Sequence, residues 1–165
     1  MASTLCGKIL EERPPVSIAT RVIDINNAVG EVVALDWLVK AEPVHRQLRA
    51  HLPEDYIDKM RRVFAEGGRM CVAAHGDAVV GVAVYRVYEN TCDGVHMYVD
   101  DLIADEAKRS GGIGKTLMDH MQDLSRKAGC ESYNLDSGLL RNKAHKFYFR
   151  EGMAVIGFHF GKPLK

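Results

Sequence analysis

At 165 residues the chain has the size of one ordinary domain, which buries roughly two-thirds of the surface its unfolded form exposes, so neither metal nor disulfide is needed to hold it together. Its 22 Lys and Arg cancel its 22 Asp and Glu. No overall field therefore draws it onto nucleic acid or an anionic membrane, and a small-molecule substrate fits better. The four cysteines, Cys6, Cys71, Cys92 and Cys130, have no C-x-x-C spacing and no paired-histidine companion. They form no zinc pattern and read as reduced thiols in a cytoplasmic protein. Residues 1–16 contain Pro14-Pro15 and few apolar side chains, and are expected to be a flexible N-terminal extension without the apolar run of a signal peptide. No stretch of about 18 apolar residues occurs, so no membrane span is expected, and 17–165 reads as a single domain.

Residues 17–25 alternate as a strand does, and Asn26, Asn27 and Gly30 supply turn chemistry before a helical stretch over 31–40. Pro43 and Pro53 divide the next part of the chain. Over 54–65, Tyr56, Ile57, Met60, Val63 and Phe64 recur at helical spacing until Gly67-Gly68 stops them. Runs over 69–75 and 78–88, separated by Gly76-Asp77, form a strong hairpin signal, and a third β-rich run covers 95–104. The clearest helix spans 113–128, where Ile113, Leu117, Met118, Met121, Leu124 and Ala128 recur every three or four positions ahead of Gly129. A short strand over 131–136, a helix over 144–150 ended by Gly152, and a last strand over 153–160 complete the pattern. Strands that first pair antiparallel and then alternate with helices predict a mixed α/β sheet covered by helices.

The informative stretch is 100–116, where a strand ends and R-S-G-G-I-G runs straight into the long helix. Glycine permits positive φ and close ligand approach, and the helix start offers unpaired N–H groups and the positive end of its dipole. Together these make an anion site, to which Arg109 adds a forked donor suited to phosphate. A Walker loop is excluded because Arg109 stands where its first glycine belongs, and a dinucleotide fingerprint is excluded by the spacing and the late position in the chain.

What remains, R-x-x-G-x-G over Arg109 to Gly114, resembles the coenzyme A motif of the GNAT superfamily of N-acetyltransferases. The resemblance extends to Asp100-Asp101-Leu102 before the turn and to A-H-K-F-Y-F-R-E-G-M, Ala144 to Met153, after it. Met153 replaces a usual Phe, and Arg141 stands where many relatives carry Asn. The resemblance implies a mostly antiparallel six- to seven-stranded sheet with helices on both faces and a splayed central strand. It implies acetyl-CoA as cosubstrate, with no metal, a small-molecule amine as acceptor and a possible homodimer. The 144–153 segment is similar to that of relatives acting on small amines, aminophosphonates and antibiotics among them. Transfer to a protein or peptide amine, or acetyl-CoA binding without catalysis, are the alternatives.

Acetyl transfer from a thioester to an amine needs a gripped coenzyme, a neutral amine, help for the oxyanion and a proton for the thiolate. The pyrophosphate would lie on the N–H groups of Ser110, Gly111, Gly112, Ile113, Gly114 and Lys115, with Thr116 in the same helix turn and Arg109 assisting. In the family the pantetheine arm pairs with the splayed strand, which would place it along Leu102, Ile103 and Ala104, with the oxyanion near a backbone N–H of that strand. A lysine-like amine, with a pKa near 10.4, must lose a proton before it attacks. Asp100 is the preferred base, directly or through water. In a regular strand it shares a face with Leu102 and Ala104 while Asp101 takes the other; a bulge would exchange them. Either aspartate can instead bond a neighbouring loop or orient the substrate cation. Tyr148 matches the family tyrosine that protonates the leaving thiolate. Lys143 and Lys146 belong to a basic stretch after Leu140 that is either a solvated face or an approach to the nucleotide phosphates.

Overall fold

The computed structural model describes residues 19–108 and 111–164. The expected extension over 1–16 and two site candidates, Arg109 and Ser110, lie outside the described residues. Five strands form one sheet in chain order: β1 Arg21–Asp24, β2 Arg69–His75, β3 Ala78–Asn90, β4 Gly94–Ala104 and β5 Ser132–Leu135. The first four pair antiparallel, and β5 runs parallel to β4. The β2–β3 hairpin turns at Gly76, whose φ of 57° suits glycine.

Each face of the sheet is covered by a helix pair. On one side, α1 (Leu35–Leu48) and α2 (Tyr56–Ala65) place Leu38, Ala41, Val44, Tyr56, Met60 and Phe64 against Met70, Val72, Val82 and Val84. On the other, α3 (Ile113–Lys127) buries Ile113, Leu117, Met118 and Met121 against Cys71, Ala73, Ala83 and Tyr85, and α4 (Asn142–Arg150) adds Phe147 and Tyr148 at the margin. Each fully buried side chain of this size contributes about 1.5–3 kcal/mol of transfer free energy. With both faces covered, β2 and β3 become the near-continuous apolar runs seen in the sequence.

Two expectations are corrected. Pro43 does not divide the chain; it lies inside α1. The carbonyl it leaves without a helical donor is that of Val39, a residue 52% exposed, while Leu38, Ala41, Val44 and His45 anchor the opposite face. The sheet has five strands among the described residues, against an expected six or seven. Residues 153–160 alternate as a strand does but pair with no strand among the described residues: Val155, Ile156, Phe158 and Phe160 are 71–90% exposed. Alternation marks a strand only where an edge receives it, and β5 is four residues long.

Two irregularities of β4 shape the site. Its pairing with β5 runs from His96↔Ser132 to Val99↔Leu135 and stops, so from Asp100 onward the two strands part. Its pairing with β3 passes from Tyr85↔Val99 to Val84↔Asp101, which makes Asp100 the extra residue of a β-bulge.

Candidate active site

The bulge decides where the two aspartates go. Beyond it Leu102 and Ala104 pack towards α3, while Ile103 packs towards α1 and α2 and Asp101 bonds to α1. Asp100 drops out of the alternation, and both carboxylates line one cleft of about 220 Å³ between β4 and the α1–α2 segment. The regular-strand expectation that the aspartates face opposite ways is therefore corrected.

Asp101 is tightly held. His45, 2% exposed on α1, approaches one carboxylate oxygen with Nε2 at 3.0 Å, and Arg49 donates from Nε to the other at 2.6 Å. Burial alone would raise the Asp101 pKa, but the hydrogen bonds and charges of His45 and Arg49 outweigh it and hold the carboxyl below its ordinary value. An ionised carboxylate only accepts, so Nε2 carries the proton. Nδ1 lies 3.0 Å from the Tyr56 hydroxyl. Burial, with Glu42 and Asp101 nearby, pushes the Tyr56 phenol up and keeps it a donor. Asp100 is held differently. Arg86 Nε donates to its Oδ2 at 2.8 Å, and Oδ1 has no partner among the described residues.

On the far side of β4 lies the glycine turn. Gly112 is the N-cap of α3 with φ 76°, and no side chain caps the helix, so its first N–H groups are open. A Cβ on Gly112 would meet nothing within 4 Å, so the space over the turn is free. Gly114 lets α3 close on α4, since a Cβ there would come within 3.2 Å of Phe147. The side chains of Lys115 and Thr116 turn back to the protein: Lys115 Nζ binds Asp119 at 2.8 Å and lies 3.5 Å from Glu151, and Thr116 Oγ1 donates to the Gly112 carbonyl at 3.2 Å. Lys143 and Lys146 are exposed on α4, without ion pairs among the described residues.

Two buried hydroxyls, that of Tyr133 in the paired part of β5 and that of Ser137 just beyond the strand, lack a hydrogen-bond partner among the described residues. Tyr148 on α4 lies near Tyr133, and burial raises its pKa against the opposing charge of Arg141, so the phenol is protonated at neutral pH. Two unpartnered hydroxyls, a β4 edge that pairs with no strand among the described residues beyond Val99, and a helix start without a side-chain cap are separate unmet hydrogen-bonding needs. These residues fit an extended ligand with amide groups along its arm and a diphosphate at its end, which is coenzyme A.

His45, Arg49, Tyr56 and Arg86 were missed by sequence reasoning. The first three come from α1 and α2, more than forty residues before Asp101. Only the helical spacing of His45 with the buried Leu38, Ala41 and Val44 hinted that a histidine faces the sheet. His96 is buried and bonded within its own hairpin, to Gly94 and Asn90.

Residues 32–153 match the model of the acetyltransferase (GNAT) family. The uncharacterized N-acetyltransferase YhdJ of Bacillus subtilis (strain 168) is 31% identical over 134 residues, covering 78% of this chain and 92% of that protein. Among solved structures, the aminoglycoside N-acetyltransferase AAC(6')-Iy in complex with CoA superposes with a TM-score of 0.76 at 16% identity, over 93% of this chain and 100% of its own. The ribosomal-protein-alanine N-acetyltransferase of Brucella melitensis biovar Abortus 2308 does so with a TM-score of 0.72 at 14% identity, over 89% of this chain and 100% of its own. These two share the fold, and their differing acceptors leave the acceptor open. The parted strands, the uncapped glycine turn and the family match converge on one conclusion: the chain belongs to the GNAT acetyltransferase family and is an acyl-CoA-dependent N-acetyltransferase.

Proposed function

We propose that the chain transfers the acetyl group of acetyl-CoA to the primary amine of a small molecule by direct attack on the thioester. The observation that carries this reading is the double use of β4: beyond the bulge its free edge faces the coenzyme side, and its two aspartates face a separate cleft. An acceptor in that cleft is then one strand thickness from the thioester.

Each residue has a role in this reading. Main-chain N–H groups over Gly111 to Lys115, with Arg109 and Ser110, hold the pyrophosphate, and Lys143 and Lys146 approach the nucleotide phosphates. Leu102, Ile103 and Ala104 guide the pantetheine arm, and a strand N–H receives the oxyanion. Asp100 takes the ammonium proton, directly or through water, because its Oδ1 is the carboxylate oxygen still free to accept. Asp101, fully engaged by His45 and Arg49, is a positioning residue. Tyr148 gives its proton to the leaving thiolate, and its raised pKa keeps that proton available. The protein works with reduced cysteines in the cytoplasm, and a homodimer goes with the reading; sedimentation of the purified chain tests the latter.

Thiol release from acetyl-CoA, measured with a panel of small amines and with peptides bearing a free N-terminus or lysine, tests the reaction. Saturable turnover on small amines supports it. Turnover confined to peptides moves the acceptor class to proteins, and tight acetyl-CoA binding without turnover on any amine overturns catalysis.

A further inference from the structure

The cleft beside Asp100 is more basic than an amine site needs. Arg49, Lys59 and Arg86 line it with the two aspartates, and His51 stands at its mouth. A neighbouring depression shares Lys59, Val63 and Arg86 and adds Arg62 and Glu66. Both aspartates are already neutralised, Asp100 by Arg86 and Asp101 by Arg49. Lys59 is partly buried among these cations, and its ammonium has no ion pair or hydrogen bond among the described residues. Among the described residues, the Arg62 guanidinium is held only by Asp55, at 3.6 Å. Unpaired ammonium beside two guanidinium groups is unfavourable until an anion arrives, whereas a second substrate cation would meet only repulsion.

We propose that the acceptor is a small amine carrying an anionic group, a carboxylate or a phosphonate or phosphate, with its nitrogen at Asp100 and its anion on Lys59 and the adjoining arginines. This rests on the reading of the cleft as the acceptor site. The two charges of such a substrate match the two unmet needs of the cleft: one free carboxylate oxygen, Asp100 Oδ1, and one unpaired cation, Lys59. Polycationic amines such as aminoglycosides are disfavoured, because among the described residues lining the cleft Asp100 offers the single carboxylate oxygen without a partner, and the one further acid, Glu66, lies in the neighbouring depression among Lys59, Arg62 and Arg86.

Four amines whose nitrogen stands two carbons from a variable group test the assignment: β-alanine, 2-aminoethylphosphonate, 2-aminoethanol and 1,2-diaminoethane. Thiol release is followed at saturating acetyl-CoA, with kcat/KM corrected for the neutral-amine fraction. At least one anionic amine is expected to exceed 2-aminoethanol by about tenfold, with the diamine poorest, and raising the salt should shrink that ratio. Which of the two anionic amines leads identifies the anion. Lys59→Gln should reduce the anionic-to-neutral ratio about tenfold, leaving the KM for acetyl-CoA where it was. Preference for the neutral amine or the diamine overturns the anion assignment while acetyl transfer stands. An unchanged ratio in Lys59→Gln overturns the role of Lys59, and no thiol release with any of the four counts against the acceptor site itself and removes the proposal with it.

Discussion

The side chains around Asp101 illustrate how a conspicuous acid can be unsuited to the role its position suggests. A base must be free to receive a proton, yet both Asp101 oxygens are bonded and its pKa is held low. Replacing it by Asn should therefore act mainly through stability. It removes the charge that two buried or half-buried cation-type donors require and is expected to cost about 2–4 kcal/mol at neutral pH, read by urea unfolding. The pH dependence has a definite sign. Because the folded pKa lies below the unfolded value, the unfolded state binds the extra proton, so the contribution of Asp101 is complete above about pH 4 and is lost as pH falls through the folded pKa. The stability gap between wild type and Asp101→Asn should thus narrow as pH falls below about 4; a gap widening there would contradict the ionised assignment. Tyr148→Phe is a different case. With its proton assigned to the thiolate, the variant is expected to lose about 10²-fold in kcat while acetyl-CoA affinity barely changes, and equal losses in both would mark it as a packing residue instead.

At the scale of elements, closeness of approach matters more than side-chain chemistry. Gly81 on β3 sits directly under α3: a Cβ there would lie 2.6 Å from Ile113 Cγ2 and 3.0 Å from Leu117 Cδ1. Gly81→Val should push the N-terminal turn of α3 away from β4, costing about 1–3 kcal/mol and weakening acetyl-CoA binding together with stability, as calorimetry on the same samples would reveal. Such a contact was not legible in the sequence, where Gly81 is one residue of an apolar run. Legible were the elements whose own pattern suffices: the hairpin around Gly76, the period of α3, and the glycine turn ahead of it. The bulge at Asp100 was foreseen only as an alternative, because a one-residue slip between β3 and β4 leaves the amino-acid pattern unchanged. His45, Arg49 and Arg86 were illegible for a related reason. Their partners lie 14 to 56 residues away, and which helix face meets which strand is decided by packing.

The described residues form two apolar layers joined by one sheet, and the coenzyme site proposed above lies where that sheet opens. The α3 layer touches β4 through Leu102 and Ala104, and the α1–α2 layer touches it through Ile103 and the Asp101 network. A ligand that fills the gap between β4 and β5 and caps α3 binds only the folded chain, so its binding free energy adds to global stability. At a concentration a hundred times Kd that addition is about 2.7 kcal/mol. For a chain of this length it corresponds to a rise in Tm of roughly 5–10 °C. Acetyl-CoA should produce that rise in a thermal melt, and desulfo-CoA most of it if the grip lies on the diphosphate as proposed. Gly112→Trp separates this grip from mere hydrophobic insertion. The position is exposed and has room for a side chain, but its positive φ strains any L residue, costing about 1–2 kcal/mol, and the indole would occupy the space of the phosphates. The variant should melt a few degrees lower without ligand and show at most a small rise with it. A full rise in Gly112→Trp would mean that the diphosphate does not sit on the α3 turn, and that the open edge of β4 holds the coenzyme by its arm alone.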